Sequence, residues 1–179
     1  LTNRIIMVTG AAGSIGSELV RQVQRYAPRA IILVDIAESP LHDLSLDLQQ
    51  QYPNTRFIPI IADVRNRDRI ESIFNETRPD VVYHAAAYKH VPLMENYPGE
   101  AIQANVLGTK NMADIAVKYK VERFVMISTD KAVNPTNIMG ASKRIMEDMI
   151  MAYSTDFKVT TARFANVAFS NGSLLDGYI

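Results

Sequence analysis

Three glycines in the run T-G-A-A-G-S-I-G, Gly10, Gly13 and Gly16, separate an apolar, β-branched stretch, IIMVTG (5–10), from a stretch of helical spacing that starts at Ser14. Glycines there let the backbone turn tightly and approach a ligand closely, and a helix start offers N–H groups that have no partner within the helix. The order strand, glycine turn, helix is the first unit of an open parallel sheet, and its free N–H groups suit the pyrophosphate of a dinucleotide. Gly10, Gly13, Ser14, Ile15 and Gly16 are therefore the candidate phosphate-side contacts.

Five more strand-like runs follow: AIILVD (30–35), RFIPIIAD (56–63), VVYHAAA (81–87), RFVMIST (123–129) and VTTARFANV (159–167). Helical spacing marks 14–25, 66–75, 98–118 and 138–153, and the whole reads as six strands alternating with five helices. Pro40, Pro53, Pro79 and Pro98 fall at element edges. Several runs are apolar on both faces, as strands covered on both sides must be. The expected fold is α/β, a Rossmann-like doubly wound parallel sheet with helices on both faces, forming one NAD-binding domain over 1–179. Its ligands belong outside the carboxyl ends of the strands.

Composition excludes several functions. Acidic and basic residues number 19 each, so no net field draws nucleic acid or an anionic membrane. The absence of cysteine removes disulfides, thiolate nucleophiles and cysteine-held zinc, and fits a reducing, cytoplasmic setting. His84 and His90 have no third ligand nearby in sequence, so no metal site is expected. The apolar runs are strand-sized and the first residues do not form a signal peptide, so no membrane contact by this segment is expected. A start at Leu1, almost directly in a strand, reads as a segment cut from a longer chain.

Asp35 ends the second run, where an acid holds a ribose diol, and nothing basic follows it closely in DIAESP. NAD is thereby favoured over NADP. Asp63, before Val64, is placed to receive the adenine amino group or to cap a helix. Ala85, Ala86 and Ala87 give the fourth strand a tip low enough for a cofactor to lie across, and Lys89, with Tyr88 and His90, would rim a sugar pocket and reach cofactor or diphosphate.

T-G-x-x-G-x-x-G, H-A-A-A, N-V-x-G-T at 105–109 and S-T-D-K resemble the extended short-chain dehydrogenase/reductases. More narrowly, HAAAYKHVPLMENYP (84–98), STDKAVNPTN (128–137) and RFANVAFSNGS (163–173) resemble the nucleotide-sugar 4,6-dehydratases of capsular polysaccharide biosynthesis, which act on UDP-N-acetylglucosamine. The superfamily usually carries Y-x-x-x-K. Here no tyrosine is followed by lysine four positions on, and Met139 stands four before Lys143, as it does in some large membrane-anchored members. A thioether takes no proton, so another group must accept that of the sugar 4-hydroxyl.

The resemblance implies Asp130 as acid, first accepting the 4-hydroxyl proton, and Lys131 as base at C5, with Thr129 bonding the 4-oxygen and Lys143 holding the nicotinamide ribose. Asp130 must then be protonated when it donates, and Lys131 must have a lowered pKa. The resemblance also implies Met139 and Asn166 as substrate neighbours, and Asn105, in the long helix, is placed to bond the strand backbone beside the site. It further implies a UDP-sugar substrate, homo-oligomers, a missing small substrate domain and a parent chain anchored to the inner membrane. The competing readings are a UDP-sugar 4-epimerase and a non-catalytic NAD-binding sensor.

Overall fold

The computed structural model describes residues 1–165 and 167. Six parallel strands, β1 (Ile5–Thr9), β2 (Ala30–Asp35), β3 (Phe57–Ile61), β4 (Val81–His84), β5 (Arg123–Thr129) and β6 (Lys158–Phe164), form one sheet in the order β3-β2-β1-β4-β5-β6. Met7 on β1 pairs with Ile32 on one side and Val82 on the other. The strand order reverses between β1 and β4, and parallel sheets open a ligand crevice where that happens.

Alternate residues of each strand enter different cores. Ile6, Val8, Ile31 and Leu33 pack under α1 (Ser14–Val23) and α2 (Glu38–Gln51). Met7, Ile32, Val82, Phe124 and Met126 pack under α3 (Arg67–Thr77), α6 (Gly108–Lys118) and α7 (Ile138–Ala152). Burial on both faces is why these runs lack the polar alternation of a half-exposed strand. Edge strand β3 differs: it tolerates an exposed Pro59, which has no N–H to give a neighbour.

Several boundaries shift from the sequence expectation. In the run at 81–87 the strand ends at His84; Ala85 N–H still donates to Thr9 O of β1 (3.0 Å), and Ala85 to Ala87 line the crevice. The third run, 56–63, pairs only over Phe57–Ile61, and the last strand ends at Phe164. The expected helix at 98–118 is three pieces: α5 (Pro98–Ala101), a π-helical stretch (Ile102–Leu107) and α6. Helix α2 and the short α4 (Val91–Asn96) stand where the sequence reading located none. In α2 the apolar positions Leu41, Leu44 and Leu48 lie among polar neighbours, with Pro40 tolerated in the first turn. Among the described residues no helix is long and apolar enough to cross a membrane.

Open spaces on this scaffold include one of about 680 Å³ toward the amino ends of β4–β6, beside Tyr26, Tyr83, Val125 and Thr160 and bordered by Leu19 and Gln22 of α1. Another, about 430 Å³, lies in the crevice at the carboxyl ends and is lined by the cofactor-side residues.

Candidate active site

β1 ends in Gly10 at φ +66, a left-handed turn that costs a glycine little. A Cβ there would meet Ala86 N at 2.7 Å and the Ala85 carbonyl carbon at 2.8 Å, and one on Gly16 would meet Gly10 O at 2.0 Å. The turn is thus drawn against β4 on one side and α1 on the other. A Cβ on Gly13 would meet only Gly10 O, at 3.3 Å, which leaves its other side to a ligand. The cavity is lined by Gly10, Gly13, Ser14, Ile15, Gly16, Asp35, Asp63, Val64, Ala85, Ala86, Ala87 and Lys89: every cofactor-side residue expected from the sequence except Lys143.

At its second wall, Asp35 accepts from the N–H of Ala12 (2.9 Å) and of Ala37 (3.0 Å), which ties the tip of β2 to the glycine turn. An open crevice, a glycine-lined turn at a helix start and a fixed carboxylate fit a dinucleotide with an unphosphorylated ribose. Asp63 is more committed than expected. Its carboxylate accepts from Arg65 Nε (2.8 Å) and Nη2 (2.7 Å) and from Arg65 N (2.9 Å), and Arg65 also pairs with Glu100 at 3.0 Å. Burial pushes Asp63 up, but the Arg65 bonds outweigh it and hold the acid below the usual carboxylate range. The cap of α3 is Asn66, whose side chain accepts from Arg69 N, not Asp63.

Beneath the crevice, His84 bridges β1 to α6: Nδ1 is 2.7 Å from Thr9 Oγ1 and Nε2 is 2.9 Å from Thr109 Oγ1. Burial, assisted by the charge of Lys143, lowers this imidazole to about 3 and keeps it neutral. Asn105, in the π-helical stretch, accepts from Tyr88 N (2.7 Å) and donates to Tyr88 O (3.1 Å) and Ser142 Oγ (2.9 Å). It therefore fixes the loop after β4, four residues beyond the strand whose backbone it was expected to bond.

The turn after β5 carries the other expected group. Thr129 donates to Asp130 Oδ1 (2.9 Å) and accepts from Lys131 N (3.4 Å), and Lys131 Nζ lies 3.4 Å from Asp130 Oδ1. A Cβ on Gly140 would meet Lys131 O at 2.6 Å, so glycine is what lets the first turn of α7 press against this turn. Asn137 caps α7, accepting from Gly140 N, and Glu95 of α4 accepts from Ile138 N.

Two expectations need correction here. Thr129, Asp130 and Lys131 do not line the 430 Å³ cavity, and the side chains of Asp130 and Lys131 are 53% and 38% exposed. The Thr129 hydroxyl, and then Lys131, hold Asp130 below its ordinary range, the state required of a group that first accepts a proton. Met139 packs into an apolar cluster with Met94 and Ala101 at 4% exposure, so it anchors α4 instead of facing a substrate. Lys143 is buried and donates to Ile127 O (3.0 Å); burial lowers it to about 8, against the opposing charge of Glu147. Asn166 lies outside the described residues. Sequence reasoning missed Arg65, His84 as a bridge and Glu147; the last had a legible signal, an acid one helical turn after Lys143.

Sheet order, glycine turn and Asp35 together define a dinucleotide-binding α/β domain of the Rossmann type. The chain belongs to the polysaccharide biosynthesis protein family, whose pattern it matches over residues 6–179. It is similar to the capsular polysaccharide biosynthesis protein CapD of Staphylococcus aureus, 52% identical over 98% of this chain and 30% of the relative. Pen from Bacillus thuringiensis superposes with a TM-score of 0.90 at 31% identity, covering 99% of this chain and 55% of that one. Bordetella bronchiseptica WbmG, solved with NAD and UDP, superposes with a TM-score of 0.75 at 26% identity, covering 91% and 53%. The chain spans under a third of CapD and about half of the other two.

Proposed function

We propose that the full-length protein is a nucleotide-sugar 4,6-dehydratase acting on UDP-N-acetylglucosamine with bound NAD, in surface polysaccharide biosynthesis, and that this chain is its NAD-binding domain. One observation carries the reading: a hydrogen-bonded Thr129–Asp130–Lys131 turn at the carboxyl tip of β5, on the same sheet edge as a dinucleotide cleft and without a tyrosine four residues before Lys143. The similarity to CapD and to an NAD- and UDP-bound structure supports it.

The glycine turn and the start of α1 hold the diphosphate, Asp35 takes the adenine ribose diol, and Lys143 holds the nicotinamide ribose. NAD supplies one kind of chemistry, accepting hydride from C4 of the sugar and returning it to C6. Asp130, ionised in this structure, is ready to take the 4-hydroxyl proton that a tyrosine would otherwise take, while Thr129 bonds the 4-oxygen. Protonation turns Asp130 into the acid the next step needs. With C4 a ketone, Lys131 removes the C5 proton, Asp130 passes its proton to the departing 6-hydroxyl, and water leaves. Lys131, whose nitrogen-bound hydrogens exchange with solvent, then gives a proton to C5. The remainder of the protein, closing over this exposed turn, would exclude water from the pair.

Lys131→Met and Asp130→Asn in the full-length protein test these roles. With Lys131→Met, NAD binding and 4-oxidation persist, the absorbance of reduced nicotinamide builds up, and dehydration falls about 100-fold or more. Either variant dehydrating at the parent rate removes that residue from the mechanism.

A further inference from the structure

Asp35 and Asp63 both line the crevice, and they differ in how many acceptor positions they have left. A carboxylate offers about four, two on each oxygen. Among the described residues Asp35 uses one on each oxygen, Oδ2 for Ala12 N and Oδ1 for Ala37 N, and the two that remain suit a pair of neighbouring hydroxyls. Asp63 is more fully engaged: Oδ2 accepts from Arg65 Nε (2.8 Å) and Nη2 (2.7 Å), and Oδ1 accepts from Arg65 N (2.9 Å). A single position remains, on Oδ1, and it suits one N–H donor.

Arg65 is itself held by partners other than Asp63. Its Nη1 donates to Glu100 of α5 (3.0 Å), and its carbonyl and that of Val64 accept from the Asn111 amide of α6 (3.2 and 3.1 Å). A Cβ on Gly108 would meet Val64 Cγ2 at 2.7 Å, so glycine lets α6 close on this loop. Arg67, two residues on, pairs instead with Asp114 and does not line the crevice.

We propose that Arg65 is a positioning residue for recognition of the cofactor's base: it orients the Asp63 carboxylate so that its one open acceptor position selects the amino group of adenine over a carbonyl at the same place. The inference rests on NAD as the crevice's ligand and on the adenine contact expected of Asp63. The guanidinium holds Oδ2 and the backbone N–H of the same residue holds Oδ1, so the carboxylate cannot turn about its Cβ–Cγ bond without losing a hydrogen bond. Without the guanidinium, Oδ2 loses both of its partners and the group is free to turn toward water. A lysine there would keep the charge but not the planar set of donors. A carbonyl in place of the amino group sets two acceptors against each other, which costs binding instead of adding to it.

Deamino-NAD, in which hypoxanthine replaces adenine and a carbonyl stands where the amino group was, is the probe. Its affinity and that of NAD for the full-length protein are measured by calorimetry, with melting temperature alongside. The parent binds NAD about tenfold or more tighter than deamino-NAD. In Arg65→Met the preference shrinks to about twofold, through weaker binding of NAD, while deamino-NAD stays within about twofold of its parent affinity. Arg65→Lys lies between the two. An Arg65→Met protein that melts lower, or weakens for both dinucleotides alike, yet keeps the parent's preference has lost only a structural ion pair or a surface charge, and that result overturns the proposal. A parent that binds both dinucleotides equally overturns the adenine contact and the proposal together. Sugar chemistry is not read here, so a product of unchanged mass in a separate assay would defeat the dehydratase reading and leave this inference standing.

Discussion

Gly10 carries two independent constraints, a left-handed φ of +66 and a Cβ site 2.7 Å from the backbone nitrogen of Ala86. Either alone is costly for another residue, and here the obstacle is backbone that cannot rotate away. Gly10→Ala is expected to destabilise the fold by about 2–4 kcal/mol in urea unfolding and to abolish NAD binding, because relief requires opening the crevice. His84 makes a different prediction. It is held at about 3 in the folded chain against an ordinary 6.5, so below pH 6.5 the unfolded chain takes up a proton that the folded one refuses. Its contribution to stability is fully present above pH 6.5 and is lost as pH falls toward 3. Between about pH 7.5 and about pH 5.5 the parent should lose about 1.4 kcal/mol of unfolding free energy from this group, a dependence His84→Gln should lack. The three glycines and Asp35 were legible in the sequence because short-range order fixes their role. His84 as a bridge was not, because its partners Thr9 and Thr109 lie 75 and 25 residues away.

Among the elements, the strands were the most legible, since burial on both faces leaves an unbroken apolar signature. Helix α2 was less so, with its buried leucines diluted by polar neighbours, and the break of 98–118 into α, π and α turns had no marker in the sequence. The π-helical stretch places Asn105 so that its amide meets both backbone groups of Tyr88 and the Ser142 hydroxyl, tying the loop after β4 to α7. Asn105→Ala would leave the Tyr88 N–H and C=O without that partner. An expected loss of about 2–3 kcal/mol in unfolding, with weaker NAD binding because Tyr88 lines the cleft, would be read by denaturant titration and fluorescence. Unchanged NAD affinity in that variant would show that the loop holds its place without Asn105.

For the molecule as a whole, the parallel sheet brings two sites to one edge, a cleft at the β1–β4 reversal and an acid–base turn one strand further along. The cofactor side of the crevice was readable because the glycine turn, Asp35, Asp63 and the alanines each stand at or just past the end of a strand. At the proposed catalytic turn the sequence placed Asp130 and Lys131 side by side, whereas the Thr129 bond that holds Asp130 below its ordinary range depends on the turn's geometry. Burial of Met139 among Met94 and Ala101 was likewise invisible, because α4 arrives from 45 positions upstream in round numbers, about the length of a βα unit. The most direct test is to incubate the full-length protein with UDP-N-acetylglucosamine in deuterated water and weigh the product by mass spectrometry. A sugar that has lost one water and carries one deuteron at C5 is the expected result; a sugar that keeps its water would contradict the dehydratase assignment.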